Sequence, residues 1–460
     1  MLGVHRVGRD RADYYLGDLA RELPVSSPAH WTGEAAVGLG LAGPLQPAEF
    51  RRLLEGCHPL SGRPMGYERA AVVALDLTFS APKSVSVLFG LGGAETARDV
   101  VQAHTEAVAG ALSYLERHGL AARRRSGSER TAVSTTGMIA GLFTHALNRN
   151  GDPHLHSHVV MANLVHGVDG RWSACDGRGI FAHRHAGGAV YEAHLRAGLS
   201  AALGVGWVRG AGQQAEIAGV APALLGEFSS RAADIRRRMH EVGARSARAN
   251  RVAWATTRQP KEPRGSYGEV AAGWARRARA IGDRPELGLG QARRDAPGPP
   301  LFDEHRFAGT LALATHGGAH RRDVVAAFGA AAPGGIDAAS LDRIVTHWAP
   351  DVAVGVAEPL HRLRAVVPGA HHLRALGSRP VDPLHHEVWV DAAAAIDAYR
   401  VRWGVGRSPE PLGTDPSSTC PASLPTLRLA DHIRLTRQLE VARSRLGRRE
   451  PATIEHGLGR

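Results

Sequence analysis

Four histidines lie on either side of one predicted turn, and their spacing suits a metal site. His145 precedes the turn, and His154, His156 and His158 follow it. In a β-strand, residues i and i+2 point to the same face, so the last three histidines share one side. Folding the segment symmetrically about the Asn150-Gly151 turn sets His145 opposite His156, where paired Cβ atoms are roughly 4.5–5.5 Å apart. We therefore predict that three imidazoles, those of His145, His156 and His158, hold one cation.

The combination of turn and spacing carries this prediction, because a single histidine in a chain with 25 of them is usually a core or surface residue. His154 shares the face but lies at the mouth of the turn, which leaves its role open. Three neutral nitrogens leave positions open on the ion, as is typical of a site that also holds substrate oxygens. The pattern therefore indicates a metal that contacts the substrate.

The elements that must position these histidines alternate between strands and helices in the first half of the chain. The predicted elements are strands over 71–79, 132–147 and 154–165, and helices over 97–116 and 191–203. Asn-Gly followed by Asp-Pro between the last two strands indicates a hairpin. The strand over 71–79 is apolar except for one acid, Asp76, so it is expected to be buried.

Residues 227–281 are rich in arginine and helical in pattern. They include Arg236, Arg237, Arg238, Trp254, Tyr267 and Trp274. Basic residues mixed with aromatics suit a surface that grips single-stranded nucleic acid through phosphate contacts and base stacking. An ordinary solvated helix with its aromatic side chains in the core fits the pattern equally well.

Composition narrows the function classes. The formal charge of +12 favours an anionic partner, nucleic acid above all. The lysines are Lys83 and Lys261, and neither follows a glycine, so the chain has no GxxxxGK[ST] phosphate loop of ATPases and helicases. Three well-separated cysteines indicate neither a disulfide framework nor a cysteine zinc site. Without a long apolar run or a signal peptide, we expect a cytoplasmic protein with no membrane insertion.

Four motifs, in this order along the chain, resemble those of conjugative relaxases of the MobF type, which are HUH endonucleases. The motifs are the tyrosine pair Tyr14-Tyr15, the segment from Trp31 to Leu41 (WTGEAAVGLGL), the segment from Asp76 to Ser86 (DLTFSAPKSVS), and the histidine segment, in which Phe143-Thr144-His145 precedes His154-Leu155-His156-Ser157-His158. The similarity covers residues 1–280. Four ordered motifs at this spacing make it specific, which a histidine triplet alone would not be.

The resemblance implies an α+β fold, in which helices flank a central antiparallel sheet (the HUH-type palm). A helical extension, the fingers, is expected to close over DNA, and a mostly helical C-terminal region follows. The predicted regions are the palm over 1–215, the fingers over 216–282, a linker over 283–300, a helical region over 301–403, a second linker over 404–426, and a basic helix and tail over 427–460.

The resemblance also implies an activity, the site- and strand-specific nicking and rejoining of single-stranded DNA at a plasmid transfer origin. A tyrosine attacks the scissile phosphate and leaves a 5′-phosphotyrosyl link and a free 3′-hydroxyl. Tyr14 is the expected nucleophile and Tyr15 the second choice, because the first tyrosine of such a pair is the reactive one in the family. A divalent metal, Mg²⁺ or Mn²⁺ before Zn²⁺, would offset the charge of the phosphodiester. The expected partners are single-stranded or supercoiled origin DNA, a separate helicase and transfer-machinery proteins.

Other residues have two possible roles each. Asp76 either accepts the phenolic proton or holds the second nitrogen of one histidine, and we favour the second role. Lys83 either contacts a phosphate or marks the start of a helix after Ser80-Ala81-Pro82. Arg236, Arg237 and Arg238 are expected to contact DNA.

Three alternative functions fit part of the sequence. A rolling-circle replication initiator belongs to the same superfamily, but the motif around Asp76 argues against it. A non-catalytic single-stranded-DNA-binding remnant would keep the basic residues without turnover. A zinc hydrolase would need a second metal site, and no acid follows His158 to build one. One departure from the family also matters, because Gly17 to His30 contains no second tyrosine pair.

Overall fold

The structure is a computed structural model that describes most of the first half of the chain and parts of the second. It describes residues 1–9, 29–65, 71–126, 129–210, 214–241, 266–282, 320–348 and 425–445, together with Gly17, Leu376, Trp389, Ala392, Ile396, Tyr399 and Leu412. The predicted linker over 283–300 lies outside these residues. The domain boundaries therefore stay predictions.

A five-stranded antiparallel sheet lies at the centre of the first half of the chain, with the strand order β1-β3-β7-β6-β2. The strands are β1 (Leu2–Gly8), β2 (His30–Thr32), β3 (Val72–Ser80), β4 (Ala122–Ser126), β5 (Glu129–Val133), β6 (Ala140–Leu147), β7 (Pro153–Ala162), β8 (Val165–His166), β9 (Trp172–Ser173), β10 (Trp207–Arg209) and β11 (Ala215–Ile217). Outside the central sheet, β4 pairs with β5, β8 with β9 and β10 with β11. The expected α+β class with a central antiparallel sheet is confirmed.

The hairpin of β6 and β7 has the register predicted from the turn. His145 pairs with His156, and Phe143 pairs with His158. The register shifts only beyond His145, next to the turn. The single strand predicted over 132–147 is wrong, because β5 ends at Val133 and β6 begins at Ala140. Gly137 lies between them at φ 113°, a left-handed conformation that interrupts a strand and favours glycine.

Helices cover both faces of the sheet. They are α1 (Glu34–Gly38), α2 (Pro47–Leu54), α3 (Lys83–Leu91), α4 (Gly93–His118), α5 (Gly177–Leu203), α6 (Pro222–Glu227), α7 (Ser230–Glu241), α8 (Tyr267–Ala280), α9 (Arg321–Ala331), α10 (Ala338–Trp348) and α11 (Pro425–Arg445). Helix α4 contains the helix predicted over 97–116, and α11 closely matches the predicted basic C-terminal helix. Helices α3, α4 and α5 pack on one face of the sheet, against β1 and β7.

Helix α5 begins well before the position predicted from the sequence. Its first half contains four glycines, which disfavour a helix in isolation. In the structure, a Cβ at Gly187 would lie 3.2 Å from the Leu2 side chain, and a Cβ at Gly188 would lie 3.4 Å from the Leu2 backbone nitrogen. A Cβ at Gly179 would lie 2.3 Å from the carbonyl oxygen of Gly119. Close packing against β1 and the end of α4 therefore explains Gly179, Gly187 and Gly188.

The opposite face of the sheet is packed against α1 and α2. Helices α1 and α2 form an apolar cluster there, and Val160 and Ala162 of β7 belong to it. These two residues alternate with the inward-facing side chains of β7 and share a face with His156 and His158. The Phe50 ring of α2 makes an edge contact with Phe143, with centroids 6.2 Å apart. The cluster thus ends beside the histidines and forms one wall of their site.

The chain divides into two compact units, and the first includes a segment from the second half of the sequence. The described residues of this unit lie within 1–313 and 322–344. Helix α10 contacts α4, where Arg117 donates to Asp342 at 2.6 Å. The end of α9 contacts α5, where the buried Arg196 donates to the carbonyl oxygens of Gly329 (2.6 Å) and Ala332 (3.1 Å). The Ile336 amide donates to the Ala193 carbonyl at 3.0 Å. An arginine of the palm thus caps the C-terminal end of α9.

The second unit has its own apolar cluster, to which α11 contributes. Its members among the described residues are Leu376, Trp389, Ala392, Ile396, Tyr399, Leu412, Leu435 and Leu439. Trp389 is 3% and Tyr399 5% exposed, so both are core residues of this unit. A search of the described helices finds none with the length and apolar character needed to cross a bilayer.

Replacing Arg196 with alanine should destabilise the first unit. We expect the free energy of unfolding to fall by about 2–4 kcal/mol, because the two carbonyl oxygens at the end of α9 would lose a buried donor. Urea unfolding followed by tryptophan fluorescence measures this change. Arg178→Ala is the matched control, since that side chain is 74% exposed and its solvent-screened pair with Asp176 should contribute little to stability. Equal losses in the two variants would contradict a capping role for Arg196.

Candidate functional site

Three histidine side chains converge on the sheet face that carries α1 and α2, where His145 is 3% and His156 7% exposed. The ring centroids of His145 and His156 lie 5.3 Å apart, those of His145 and His158 5.6 Å, and those of His156 and His158 5.2 Å. Each ring offers one nitrogen, and these nitrogens all lie within 4.8 Å of one another. Nitrogens bound to one ion at about 2.1 Å can be at most about 4.2 Å apart, so small ring rotations bring the group to metal-binding distances. His154 stacks on His156 at 4.7 Å but is not part of this group.

Hydrogen bonds select the nitrogen that two of the rings present to the site. Nδ1 of His156 donates to the carbonyl oxygen of His154 at 2.9 Å. Nδ1 of His158 donates to both carboxylate oxygens of Asp76, at 2.9 and 3.0 Å. In both rings the lone pair that can bind a metal is therefore on Nε2.

Asp76 occupies the position expected of a residue that orients a metal ligand. Its side chain is 2% exposed, and the Thr78 hydroxyl donates to its Oδ2 at 3.2 Å. Thr78 lies directly opposite His158 across β3 and β7. The alternation of side chains along β3 places Asp76 and Thr78 on the histidine face. Of the two roles weighed for Asp76, the geometry supports the one in which it holds a histidine.

The other predicted site residues have different outcomes. Tyr14 and Tyr15 lie outside the described residues. The ammonium of Lys83 donates to the Pro153 carbonyl oxygen at 2.9 Å, at the start of β7. Burial lowers the pKa of Lys83, although Asp152 and Glu216 nearby act to raise it. The phosphate contact considered for Lys83 therefore competes with a structural role, and α3 begins at this residue, as the helix-start alternative predicted.

The three arginines predicted to contact DNA are exposed on α7. Arg237 pairs with Asp234 at 3.2 Å and Arg238 pairs with Glu241 at 3.1 Å. These pairs lie within one helix, and solvent surrounds the arginine side chains. Exposed pairs of this kind exchange readily for other anions because they contribute little free energy. The side chains of Arg236, Arg237 and Arg238 are thus available to a phosphate backbone.

The turn between the two histidine strands is bound on one side by α7 and α8. Asp152 is fully buried and accepts hydrogen bonds from the Ser230 amide (3.0 Å), the Ser230 hydroxyl (2.5 Å) and Arg277 (3.1 Å). The Trp274 indole donates to the Gly151 carbonyl oxygen at 2.7 Å, and this side chain is 2% exposed. We name this group of contacts to Gly151 and Asp152 the turn clasp.

Electrostatics favour the charged form of Asp152 within the turn clasp. Burial alone raises the pKa of its carboxyl, but hydrogen bonds from Ser230, Asn148 and Arg277 outweigh burial, so the pKa lies below its usual value of 3.8. The sequence indicated only a turn here. A buried role for Asp152 could not be deduced, since its partners lie far away in the chain. Of the two interpretations of Trp274, the core one is correct.

Known proteins resemble this chain both in sequence and in fold. The family model for the TrwC relaxase matches residues 4–281, more than half of the chain. The chain belongs to the TrwC relaxase family. The multifunctional conjugation protein TraI of Escherichia coli is 34% identical over 202 residues, which are 41% of this chain and 11% of that protein. The chain therefore spans only a small part of the length of this curated relative.

Solved structures of TrwC agree with the family assignment. A copper-bound complex of the conjugative relaxase TrwC with oriT DNA is 27% identical, with a TM-score of 0.57 over 62% of this chain and 100% of that one. TrwC complexed with a 27-mer DNA comprising the recognition hairpin and the cleavage site is 28% identical, with a TM-score of 0.55 and the same coverage. The expected conjugative relaxase family and the expected relaxase fold are both confirmed.

Asp76→Asn in this relaxase should weaken metal binding. An amide keeps the shape of the side chain but loses the charge that holds the His158 imidazole, and loss of such a partner typically costs 10–100-fold in metal affinity. Isothermal titration with Mn²⁺ or Zn²⁺ measures the change. Asp169→Asn removes a carboxylate paired with Arg124 at 2.6 Å, away from the histidines, and should leave metal affinity unchanged. A similar loss in both variants would contradict the orienting role.

Asp152→Asn should destabilise the protein in a pH-dependent way. The folded pKa of Asp152 is lowered, so its charge stabilises the fold above the unfolded pKa and this contribution is lost as the pH falls through the folded pKa. We expect the variant to be less stable at pH 7 by about 2 kcal/mol, with the difference shrinking below pH 4. Urea unfolding across pH 3–7 measures it. A constant difference at every pH would indicate lost packing instead.

Proposed function

We propose that this chain nicks and rejoins one strand of DNA at a plasmid transfer origin. The observation that carries the proposal is the convergence of His145, His156 and His158 beside the buried Asp76 in a member of the TrwC relaxase family. Solved relatives are complexes with origin DNA, one of which contains a cleavage site. DNA of this class is the substrate that we assign to this chain.

The proposed reaction is a transesterification. The Tyr14 phenol loses its proton as its oxygen attacks the scissile phosphorus, the bond from phosphorus to the 3′-oxygen breaks, and the departing oxygen takes up one proton to become a free 3′-hydroxyl, so protons balance. The tyrosine then carries the 5′-phosphate, and attack by the 3′-hydroxyl restores the strand. Because Asp76 holds His158 and accepts from Thr78, we assign it to positioning rather than to removal of the phenolic proton.

The three histidines would hold a divalent cation. A bound cation neutralises charge on the non-bridging phosphate oxygens and stabilises the charge that develops there. Imidazole nitrogen is a ligand of first-row transition metals, whereas Mg²⁺ prefers oxygen. The sequence alone predicts Mg²⁺ or Mn²⁺ before Zn²⁺. The three imidazole donors instead favour Mn²⁺ or Zn²⁺ over Mg²⁺.

Two basic elements would bind the DNA. Arg236, Arg237 and Arg238 on α7 would contact phosphates of the single strand. Helix α7 lies next to the turn of the histidine hairpin, where Asn150 donates to Asp234 of α7 at 2.7 Å. The ribbon of β4 and β5 carries the exposed Arg123. A two-stranded ribbon fits the major groove of duplex DNA, so we assign it to a base-paired part of the origin.

A covalent adduct tests the proposed reaction. The full chain is incubated with Mn²⁺ and single-stranded origin DNA labelled 3′ to the nick, and adducts are separated on a denaturing gel. We expect an adduct with the wild type and with Tyr15→Phe, and none with Tyr14→Phe. DNA binding without an adduct in the wild type would favour a non-catalytic remnant. Cleavage without an adduct would favour a hydrolase.

The same assay separates the histidines from the DNA-binding surface. His156→Ala should reduce nicking at least 100-fold, while affinity for the same DNA in the presence of a chelator stays within about twofold, because phosphate contacts supply most of the affinity. Fluorescence anisotropy measures binding. An equal loss of nicking and binding would show that the histidines are structural.

A further inference from the structure

Behind the candidate metal face, four polar side chains form one hydrogen-bonded series through the core, which we name the buried polar string. The members are Thr144 of β6, Ser157 of β7, His104 of α4 and Tyr191 of α5. The Thr144 and Ser157 hydroxyl oxygens lie 2.8 Å apart. Nε2 of His104 lies 2.8 Å from the Ser157 hydroxyl, and Nδ1 lies 2.8 Å from the Tyr191 hydroxyl.

The buried polar string lies in the protein interior. Thr144 is 6% exposed, Ser157 1%, and His104 and Tyr191 are fully buried. Burial lowers the pKa of His104 to about 3 and raises that of Tyr191 well above its usual value, so both side chains are neutral. A neutral imidazole donates from one nitrogen and accepts at the other. Each of the three bonds therefore has one donor and one acceptor, whichever direction the string takes.

The string lies directly behind the candidate metal ligands. Ser157 stands between His156 and His158 in β7, and Thr144 immediately precedes His145 in β6. Thr144 and Ser157 are also direct partners in the register of the hairpin. Because alternate residues of a strand face opposite sides, the candidate ligands point to the face that carries α1 and α2, while their neighbours point to the face that carries α4 and α5. Each of the three candidate ligands is thus adjacent in sequence to a member of the string.

An apolar pair in place of Thr144 and Ser157 would fill the same space but would not fix the direction of the contact between the two strands. A hydrogen bond fixes both distance and angle, and buried polar groups are costly unless they are satisfied. We propose that Thr144, Ser157 and His104 are positioning residues, which set the spacing of the two ligand strands and thereby the affinity and geometry of the cation site. This inference rests on the proposed metal site. Tyr191 anchors the string to α5.

A matched pair of variants at one position tests the role of the string. Thr144→Val keeps the shape of the side chain but removes its hydroxyl, whereas Thr144→Ser keeps the hydroxyl and removes a methyl group. We expect the valine variant to bind Mn²⁺ about tenfold more weakly than the wild type in isothermal titration, and the serine variant to bind like the wild type. The visible absorption of bound Co²⁺, which reports ligand geometry, should change in the valine variant alone.

Two further variants separate positioning from general stability. Ser157→Ala breaks two bonds of the string and should weaken metal binding at least as much as Thr144→Val. Ser84→Ala removes another fully buried hydroxyl, which accepts from the Ile217 amide at 2.7 Å and lies outside the ligand strands. It should lower the melting temperature but leave metal affinity and the Co²⁺ spectrum unchanged. DNA binding in the presence of a chelator should stay the same in all of these variants.

The possible results are distinct. Equal metal affinity and equal Co²⁺ spectra in the wild type, Thr144→Val and Ser157→Ala would overturn the inference and leave the metal site intact. Metal binding reduced as much by Ser84→Ala as by Ser157→Ala would also overturn it, since stability alone would then explain the effect. A wild type that binds metal no better than His156→Ala would instead overturn the proposed metal site.

Discussion

The pairing of β6 with β7 is the interaction on which the candidate site depends. Side chains alternate between the two faces of a sheet, so a slip of one residue in this hairpin would carry His156 and His158 into the core. The observed register, with His145 opposite His156, brings rings from both strands to one place. The metal site therefore depends first on the register of the two strands and only then on the type of the ligand residues.

Three sets of polar contacts fix this register from different sides. The turn clasp binds the loop end through Asp152, the buried polar string binds the rear face through Ser157, and Asp76 binds the front face through His158. All three place polar groups in positions where loss of a partner would leave a buried donor or acceptor unsatisfied. Alternative registers would thus cost free energy at the turn, in the core and at the candidate ligands.

Much of the site could be predicted from local sequence, because its pattern is local. The Asn-Gly turn and the spacing of the histidines sufficed for the register, and a single acid in an apolar strand sufficed for Asp76. The roles of Asp152 and Trp274 depend on partners distant in the chain, and no local pattern encodes them. The start of α5 was missed for a related reason, since Gly187 and Gly188 disfavour a helix until β1 packs against them. Lys83 is paired in the structure with a backbone carbonyl that sequence alone could not reveal.

The contact of α9 with α5 has a consequence for where the first compact unit ends. The match to the family stops at residue 281, yet residues 322–344 belong to the same compact unit. A fragment cut at the family boundary would leave the Arg196 guanidinium and the Ala193 carbonyl oxygen without the partners that residues 329–336 supply. The first compact unit therefore extends past the residues that the family model matches.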